Sequence, residues 1–209
     1  MLESNSIYIL GYSGHAYVAI DIALANNLNV KGYFDFKMVD NNPYKIDFLG
    51  SEYSVDIRSI VKSDVVFPGI GDNNLRKKAV NFIESNNLNQ TTLIDLSASV
   101  SLLSSVNKST LICPNTVVNS MTVIDKGCII NSGAIIEHEC KIGEFSHIAP
   151  GAVLAGNVRI GINTLIGANA VVREGIKVGN NATVGAGAVV INDISDGEMW
   201  VGNPARRIR

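Results

Sequence analysis

The chain has 209 residues, of which 46% are hydrophobic and 17% charged, and its formal net charge is −2. This composition excludes a disordered chain, and a pI near 5.9 without a long run of Lys and Arg excludes the basic surface of a nucleic-acid-binding protein. No apolar run approaches the roughly 18 residues that span a membrane, and the start lacks the features of a signal peptide, so we expect a cytoplasmic protein with small-molecule partners.

The first part of the chain alternates short apolar runs with helical segments, which is the pattern of an α/β domain. The predicted elements are strands at 7–10, 30–35, 65–67 and 92–94 and helices at 16–25 and 74–84. The last of these strands is expected to close the sheet. We therefore predict a Rossmann-like half domain over residues 1–96, large enough to hold one mononucleotide.

Three strand ends are predicted to meet at one crevice of this domain. The first loop follows a strand and opens a helix, where backbone N–H groups can bind a phosphate, and it contains Gly11, Ser13, Gly14 and His15. Asp35 ends the next strand, where such folds place an acid that contacts a ribose or a base. The third loop contains Gly71 and Asn73. The alternative is a tight turn with a surface aspartate.

From residue 97 onward, one period organises the sequence. An aliphatic residue recurs at every sixth position from Val100 to Val190, and the residue four places later is mostly small. Glycine often follows the aliphatic residue directly. This hexapeptide repeat predicts a parallel β-helix over residues 97–195, in which three hexads form one coil of about 18 residues and strands stack about 4.8 Å apart. The aliphatic residue, position 1 of each hexad, is expected to fill the interior.

Two of the three histidines lie in the repeat at positions that face outward: His138 is third in its hexad and His147 is sixth. Glu137 and Glu139 flank His138, and a carboxylate beside an imidazole can orient it and stabilise its cation. Gly156, one coil further along the same face, leaves space beside the imidazole and offers a backbone N–H to an acyl oxygen. The pattern indicates a general base, and the alternative is an exposed His–Glu pair.

Neither a disulfide framework nor a metal site is predicted. Cys113, Cys128 and Cys140 form no Cys-x-x-Cys pair and are odd in number, so we expect buried thiols. Zinc-binding β-helix enzymes of the carbonic anhydrase type use three histidine ligands, whereas this repeat contains two histidines. Direct acid–base chemistry without a metal is therefore the preferred interpretation.

Five segments together resemble one family. They are Ile-Leu-Gly-Tyr-Ser-Gly-His at 9–15, Phe-Asp-Phe-Lys at 34–37, Gly-Ile-Gly-Asp-Asn at 69–73 with Arg76, Ile-Glu-His-Glu-Cys at 136–140 with Ile142 and Gly143, and Gly-Asn-Pro-Ala-Arg at 202–206. The combination resembles the bacterial nucleotide-amino-sugar acetyltransferases of the PglD and NeuD types, a branch of the hexapeptide acyltransferases. This resemblance implies a left-handed β-helix, a nucleotide-sugar-binding N-terminal domain, a homotrimer, and acetyl-CoA held between neighbouring β-helices.

The resemblance also implies a role for each matching residue. His138 is implied as the base that takes a proton from the sugar's 4-amino group as it attacks acetyl-CoA, and Glu139 as the residue that orients the imidazole. The acetyl-CoA side is implied to include His147 and Gly156. The implied sugar-nucleotide-binding residues are Gly11, Ser13, Gly14, His15, Asp35, Lys37, Gly71, Asn73, Asn131 and Glu137.

The closing segment, residues 196–209, is predicted as a C-terminal tail that helps to hold coenzyme A. Asn203 precedes Pro204, which fixes a turn, and Arg206 or Arg207 can pair with coenzyme phosphates through charge-assisted hydrogen bonds. The alternative is a solvated basic tail.

The expected function is N-acetyl transfer from acetyl-CoA to the 4-amino group of a UDP-linked amino-dideoxy sugar, for surface glycan or glycoprotein biosynthesis. Phe36 stands where a second acid can follow Asp35 in this family, so the choice between uridine and thymidine nucleotides stays open. Two other functions also stay open: O-acetylation of a sialic acid or another sugar, and a non-catalytic module that binds sugar nucleotides and forms trimers.

Overall fold

The computed structural model describes residues 5–209 and divides into two compact units, the first ending at Leu93 and the second beginning at Ile94. Residues 1–4, which carry most of the segment considered for a signal peptide, lie outside the described residues. Across the described part of the chain, no helix combines the length and apolar character needed to cross a membrane. We call the two units the N-terminal domain and the β-helix domain.

The N-terminal domain is a five-stranded parallel sheet in the order β3-β2-β1-β4-β5. A helix connects each pair of consecutive strands except β2 and β3, which a loop joins. Its elements are β1 (Ser6–Leu10), α1 (Gly14–Ala25), β2 (Asn29–Phe34), β3 (Asp47–Phe48), α2 (Ile57–Val61), β4 (Val65–Pro68), α3 (Asn73–Ser85) and β5 (Asn89–Gln90). The strand order reverses between β1 and β4, and open α/β sheets bind their ligands at such a point, beyond the carboxyl ends of the strands. The predicted Rossmann-like topology is confirmed.

The two long helices of this domain begin and pack for local reasons. Helix α1 buries Ala16, Ala19, Ile20 and Ala23, which recur at helical spacing on one face. Helix α3 begins after Asp72, whose carboxylate accepts a hydrogen bond of 2.9 Å from the Leu75 amide and so satisfies an otherwise unpaired donor of the first turn. Both helix starts follow directly from the carboxyl ends of buried strands, as the sequence predicted.

The prediction that residues 92–94 close this sheet is wrong. Strand β5 closes it, and β6 (Leu93–Ile94) is instead the first strand of an eight-stranded sheet in the β-helix. Ile94 precedes Val100 by six residues, so the repeat begins one hexad earlier than predicted. Short apolar runs look alike in both folds, which is why the sequence placed the boundary at residue 96 and the structure places it between Leu93 and Ile94.

The β-helix domain is a left-handed parallel β-helix of two-residue strands, as predicted, and no insertion interrupts it. Its regular strands are β7 (Ser99–Val100), β8 (Ser105–Val106), β9 (Leu111–Ile112), β10 (Val117–Val118), β11 (Val123–Ile124), β12 (Ile129–Ile130), β13 (Ile135–Ile136), β14 (Lys141–Ile142), β15 (His147–Ile148), β16 (Val153–Leu154), β17 (Arg159–Ile160), β18 (Leu165–Ile166), β19 (Val171–Val172), β20 (Lys177–Val178), β21 (Thr183–Val184) and β22 (Val189–Val190). Each ends on the position 1 aliphatic residue of its hexad.

These strands stack with residues 18 apart in register, as in the pair Ile135 and Val153. They form three sheets, in the orders β22-β19-β16-β13-β10-β7, β20-β17-β14-β11-β8 and β24-β23-β21-β18-β15-β12-β9-β6, where β23 is Met199–Val201 and β24 is Arg206–Arg207. All position 1 residues from Ile112 to Val190 are buried. The interior is therefore one continuous aliphatic column, whose burial drives folding.

Small polar residues at position 5 are also buried, and their hydroxyl groups are satisfied in a repeating way. Each donates to the carbonyl oxygen fifteen residues further on, at 2.6–3.2 Å, and the donors are Thr110, Thr116, Thr122, Ser146 and Thr164. A buried hydroxyl without a partner would cost free energy, so this ladder explains how the interior accepts Ser and Thr.

Two positions of the hexad favour glycine for different reasons. At position 4, every residue from Ser109 to Asn181 adopts a positive φ of 54–74°, the left-handed region that Gly and Asn tolerate best. At position 2, φ is not positive, and a Cβ on Gly161 would lie 2.5 Å from backbone atoms of the next coil. The glycine that follows the aliphatic residue thus permits close stacking of coils rather than a turn.

The segment predicted as a tail belongs to the β-helix domain. Strand β23 pairs in parallel with β21, and β24 folds back antiparallel onto β23, with the cis peptide bond Asn203–Pro204 between them. The closing residues therefore extend the largest sheet as a hairpin.

Candidate active site

The strongest candidate site lies at the turn that follows β13. His138 Nδ1 lies 3.1 Å from Glu139 Oε2, and the two side chains are 55% and 54% exposed. Because a carboxylate only accepts hydrogen bonds, this contact assigns the proton to Nδ1 and leaves the Nε2 lone pair open to accept a proton. A Cβ on Gly156 would lie 2.7 Å from Nε2, so the imidazole occupies the space that this glycine leaves.

Glu139 occupies position 4 of its hexad with a φ of 62°. Most residues at this position are Gly or Asn, and the exceptions with positive φ are Ser109, Met121, Glu139 and Phe145. The left-handed conformation costs an ordinary residue roughly 1–2 kcal/mol. Glu139 is thus held in an unfavourable backbone conformation at the place where its carboxylate meets His138.

The backbone on both sides of His138 is tied to adjacent coils. The Thr122 hydroxyl donates to the Glu137 carbonyl oxygen at 3.0 Å, and the Cys140 thiol donates to the Ala155 carbonyl oxygen at 3.2 Å. Within residues 5–209, the Gly156 amide donates no hydrogen bond. Gly156 is buried beside the imidazole, and its uncommitted N–H is the candidate donor for an oxygen that becomes negative.

Two further predicted residues of the β-helix have polar partners. The Asn119 side-chain amide donates to Glu137 Oε2 at 2.9 Å, and Asn131 Nδ2 lies 3.1 Å from His147 Nε2. Asn131 and His147 therefore contact each other, although the resemblance assigned them to different substrates. His147 belongs to β15, in a different sheet from the strand that precedes His138. Sequence reasoning missed Asn119, which was detectable because it lies one coil before Glu137.

The cysteines are buried, as predicted, and Cys140 is no nucleophile. All three side chains are fully buried, and burial raises the pKa of the Cys113 thiol to about 12 and that of Cys140 to about 11. Both therefore stay protonated near neutral pH, and a thiol is a weaker nucleophile than a thiolate. In the described part of the chain, His, Cys, Asp and Glu form no group of three that could hold a metal ion.

In the N-terminal domain, the three predicted strand ends do meet. The Tyr12 amide donates to Asp35 Oδ2 at 2.8 Å, which links the loop after β1 to the end of β2. A Cβ on Gly11 would lie 2.6 Å from the Ile70 side chain, and one on Gly69 would lie 2.9 Å from the Gly11 carbonyl oxygen. The glycines are thus required for close contact between the loops after β1 and β4.

A cavity of about 350 Å³ opens beside these loops. Of the predicted residues, it is lined by Gly11, Ser13 and Asp35. The sequence did not single out Glu52 and Tyr53, which also line it from the loop after β3. That loop has no periodic pattern, so no signal in the sequence pointed to them. His15, Gly14, Lys37, Gly71 and Asn73 lie outside the lining of this cavity.

His15 and Arg76 organise the loop after β4. A Cβ on Gly71 would lie 3.5 Å from His15 Cβ, and the buried Arg76 guanidinium donates to the Gly71 carbonyl oxygen at 2.7 Å and to Asn73 Oδ1 at 2.7 Å. Burial, and then the positive charge of Arg76, lowers the pKa of His15 to about 4. His15 is therefore neutral at physiological pH.

The two C-terminal arginines differ in their contacts. Arg207 forms an ion pair of 2.9 Å with Glu198, whereas Arg206 is exposed and donates to the Ala205 carbonyl oxygen at 2.9 Å. Asn203 and Pro204 are exposed beside them. Of the two arginines proposed to meet coenzyme phosphates, Arg206 is the one without a carboxylate partner among these contacts.

Models of known protein families match stretches of both domains. The family model "PglD N-terminal domain" matches residues 6–83, and two hexapeptide models match the β-helix: "Bacterial transferase hexapeptide (six repeats)" at residues 121–156 and "Hexapeptide repeat of succinyl-transferase" at residues 157–191. Residues 6–83 thus match a PglD N-terminal domain, and residues 121–191 match hexapeptide repeats of bacterial transferases. The predicted family and the prediction of an acyltransferase are confirmed. Among curated proteins, none matches the sequence.

Three solved structures match almost the whole chain. The acetyltransferase domain of PglB from Neisseria gonorrhoeae is 28% identical, with 98% of this chain and 100% of that chain covered and a TM-score of 0.90. PerB from Caulobacter crescentus, in complex with CoA and GDP-perosamine, is 28% identical, with 98% and 97% covered and a TM-score of 0.92. WeeI from Acinetobacter baumannii, at 23% identity, 97% and 99% coverage and a TM-score of 0.85, shares the fold.

Proposed function

We propose that this transferase moves an acetyl group from acetyl-CoA to the 4-amino group of a nucleotide-linked amino-deoxy sugar. The observation that carries the proposal is the His138–Glu139 pair seated against Gly156 in a hexapeptide transferase with a PglD N-terminal domain. Two similar structures support it: the PglB acetyltransferase domain in complex with acetyl coenzyme A, and PerB with CoA and GDP-perosamine.

His138 acts as the general base in this proposal. The neutral amine attacks the thioester carbon, and the proton that the nitrogen loses goes to His138 Nε2. The C–S bond then breaks with its electron pair on sulfur, and the CoA thiolate takes the proton from the imidazolium. Glu139 accepts from Nδ1–H and stabilises the imidazolium that forms. The Gly156 amide donates to the thioester oxygen as it gains negative charge. No covalent enzyme intermediate is needed, because a neutral amine is already a good nucleophile and the ternary complex holds it in place.

The N-terminal domain holds the nucleotide. The cavity beside Gly11, Ser13 and Asp35 lies at the carboxyl ends of parallel strands, where the start of α1 offers backbone N–H groups to phosphate. Ser13 lines the same cavity, and its hydroxyl makes no helix-capping hydrogen bond. The sequence predicted a UDP-linked sugar, whereas the proposed function requires a nucleotide sugar without fixing its base. Asn131 and Glu137 are proposed to lie on the amino-sugar side.

Acetyl-CoA is proposed to bind between β-helices of a homotrimer, with His147, Gly156 and Arg206 on its side and the Asn203–Pro204 turn beside them. Several apolar side chains of the β-helix are exposed in the single chain, among them Met121, Ile162 and Val171. A cyclic assembly buries such faces symmetrically. The mass in solution tests the assembly, and a monodisperse monomer at micromolar concentration would contradict it.

The function is tested with the purified full chain, acetyl-CoA, and 4-amino sugars linked to UDP, dTDP and GDP. We expect release of free CoA thiol with at least one amino sugar and an acetamide at C4 of the product, read by mass spectrometry and NMR. The matched control is the same sugar nucleotide with a hydroxyl at C4. Acetyl on oxygen would identify an O-acetyltransferase, and no thiol release with any acceptor would leave a binding module.

A further inference from the structure

The nucleotide cavity contains an acidic side chain with an unused acceptor. Glu52 lies in the loop after β3, and its Oε2 is buried without a hydrogen-bond partner within residues 5–209. Burial raises the pKa of this carboxyl, and the Asp35 charge adds to the rise, while hydrogen bonds from the Glu52 amide and the Ser51 hydroxyl partly offset it. A buried acceptor that meets no donor is costly, so the site is suited to a ligand that brings N–H groups.

The neighbouring acid is already engaged. Asp35 Oδ2 accepts from the Tyr12 amide at 2.8 Å, and Oδ1 accepts from the Phe36 amide at 2.7 Å. The Asp35 amide in turn donates to the Gly50 carbonyl oxygen at 3.2 Å. Asp35 therefore fastens the loops after β1, β2 and β3 to one another, and Glu52 is the acid in the cavity with an acceptor left open.

Two aromatic rings stand beside Glu52. Phe36 and Tyr53 both line the cavity, and they are 77% and 62% exposed. Their ring centroids are 6.2 Å apart and their planes differ by 26°. Exposed aromatic faces next to a hydrogen-bonding group are the usual components of a site that stacks and reads a single base.

We propose that Glu52 reads the base of the nucleotide sugar and selects guanine, while Phe36 and Tyr53 provide the stacking surface. The Watson–Crick edge of guanine presents two adjacent donors, N1–H and the N2 amino group, and the open Oε2 of Glu52, which has two lone pairs, can accept from both. Uracil and thymine present one N–H between two carbonyl oxygens, which a carboxylate repels. Cytosine and adenine place a ring acceptor beside their amino group. This inference rests on the proposed function, because it assumes that the cavity holds a nucleotide.

The first test needs no variant. The full chain is titrated calorimetrically with GDP, UDP and inosine diphosphate, which is GDP without the N2 amino group. We expect GDP to bind about ten- to hundredfold more tightly than either of the others, the range for one hydrogen bond to a charged group. Equal affinities for GDP and UDP, or for GDP and inosine diphosphate, would overturn the assignment of guanine.

The second test assigns the preference to Glu52. In Glu52→Gln, an amide N–H replaces one acceptor, and we expect GDP to lose its advantage over inosine diphosphate. Glu84→Gln, on the exposed surface of α3 and outside the cavity lining, is the matched control and should keep that advantage. Phe36→Ala should weaken all three nucleotides by about tenfold, because stacking is tolerant of the base.

The outcomes separate this inference from the proposed function. An unchanged ratio of GDP to inosine diphosphate affinity in a folded Glu52→Gln variant would overturn the role of Glu52 and leave the proposed transferase intact. Failure of every nucleoside diphosphate to bind would overturn both the base selection and the nucleotide role of this domain. The acceptor assay with acetyl-CoA then shows independently whether acetyl transfer remains.

Discussion

The two domains place their functional side chains in different ways. In the β-helix domain, the repeat fixes the backbone, and the candidate residues are local exceptions to it: Glu139 stands where Gly and Asn prevail, and Gly156 is the single glycine at position 3 between Val100 and Val190. In the N-terminal domain, individual contacts set the geometry: Asp35 binds the amide of the loop after β1, and Arg76 binds the carbonyl oxygen of the loop after β4. A repeat therefore exposes functional residues to sequence analysis, whereas a non-repetitive sheet conceals them.

The largest expected effect separates chemistry in one domain from binding in the other. His138→Ala should lower turnover by about 10²–10⁴, or about 3–5 kcal/mol of barrier, because the base acts on the transition state. Nucleotide affinity, measured by calorimetry, should stay unchanged, because the cavity belongs to the N-terminal domain. Near-normal turnover of the variant from pH 6 to 9 would refute general-base catalysis by this residue.

The second expected effect is confined to the N-terminal domain. The pKa of His15 is about 4 in the folded chain and near 6.5 in the unfolded chain. Between pH 4 and 6.5 the imidazole is therefore protonated in the unfolded state and neutral in the folded state. The stability that this difference contributes is present in full above pH 6.5. It is lost as pH falls towards 4, by up to about 3 kcal/mol.

Two probes can separate the domains in that experiment. The described helices all belong to the N-terminal domain, and the only tryptophan, Trp200, lies in the β-helix domain. The free energy of unfolding in urea, followed by the far-UV signal of the helices, should fall with decreasing pH in the native chain. It should fall less in His15→Asn. An equal pH dependence in the variant would show that another group is responsible.

The third prediction concerns Gly156 and the space it leaves. Gly156→Ala keeps the backbone N–H but would place a Cβ 2.6 Å from His138 Cε1, so the imidazole must move. We expect turnover to fall by about 10- to 100-fold, the scale of a displacement near 1 Å. The double variant with His138→Ala should be no slower than His138→Ala alone. Additive losses would mean that Gly156 acts independently of the imidazole.

The smallest expected effect comes from replacing Glu139 at position 4, which should raise the stability of the fold and lower turnover. Glu139→Asn puts a residue suited to positive φ in place of Glu, and should stabilise the fold by about 1 kcal/mol while lowering turnover by about tenfold. Glu139→Gln keeps the cost of the positive φ and removes only the charge, so it should lower turnover without a gain in melting temperature. A destabilised Glu139→Asn would show that the His138 contact outweighs the backbone cost.

Sequence analysis predicted the β-helix almost residue by residue, because a period of six fixes both the strand and the side that each residue faces. It predicted the contact between His138 and Gly156 from their spacing of one coil. In the N-terminal domain it found the glycine loops but missed β3 and α2, which are two and five residues long and carry no periodic signal. The burial of Arg76 was also hidden, since a charged residue on a helix ordinarily faces solvent.

The register of 18 residues turns distance along the chain into an angle about the β-helix axis. Six residues advance the backbone by one third of a turn, so an insertion of one hexad between His138 and Gly156 would carry the glycine to a neighbouring sheet. An insertion of three hexads, one full coil, would return Gly156 to the same side of the β-helix as His138. It would lie two coils from the imidazole instead of one. A change in length between His138 and Gly156 would therefore separate the imidazole from the glycine that it packs against.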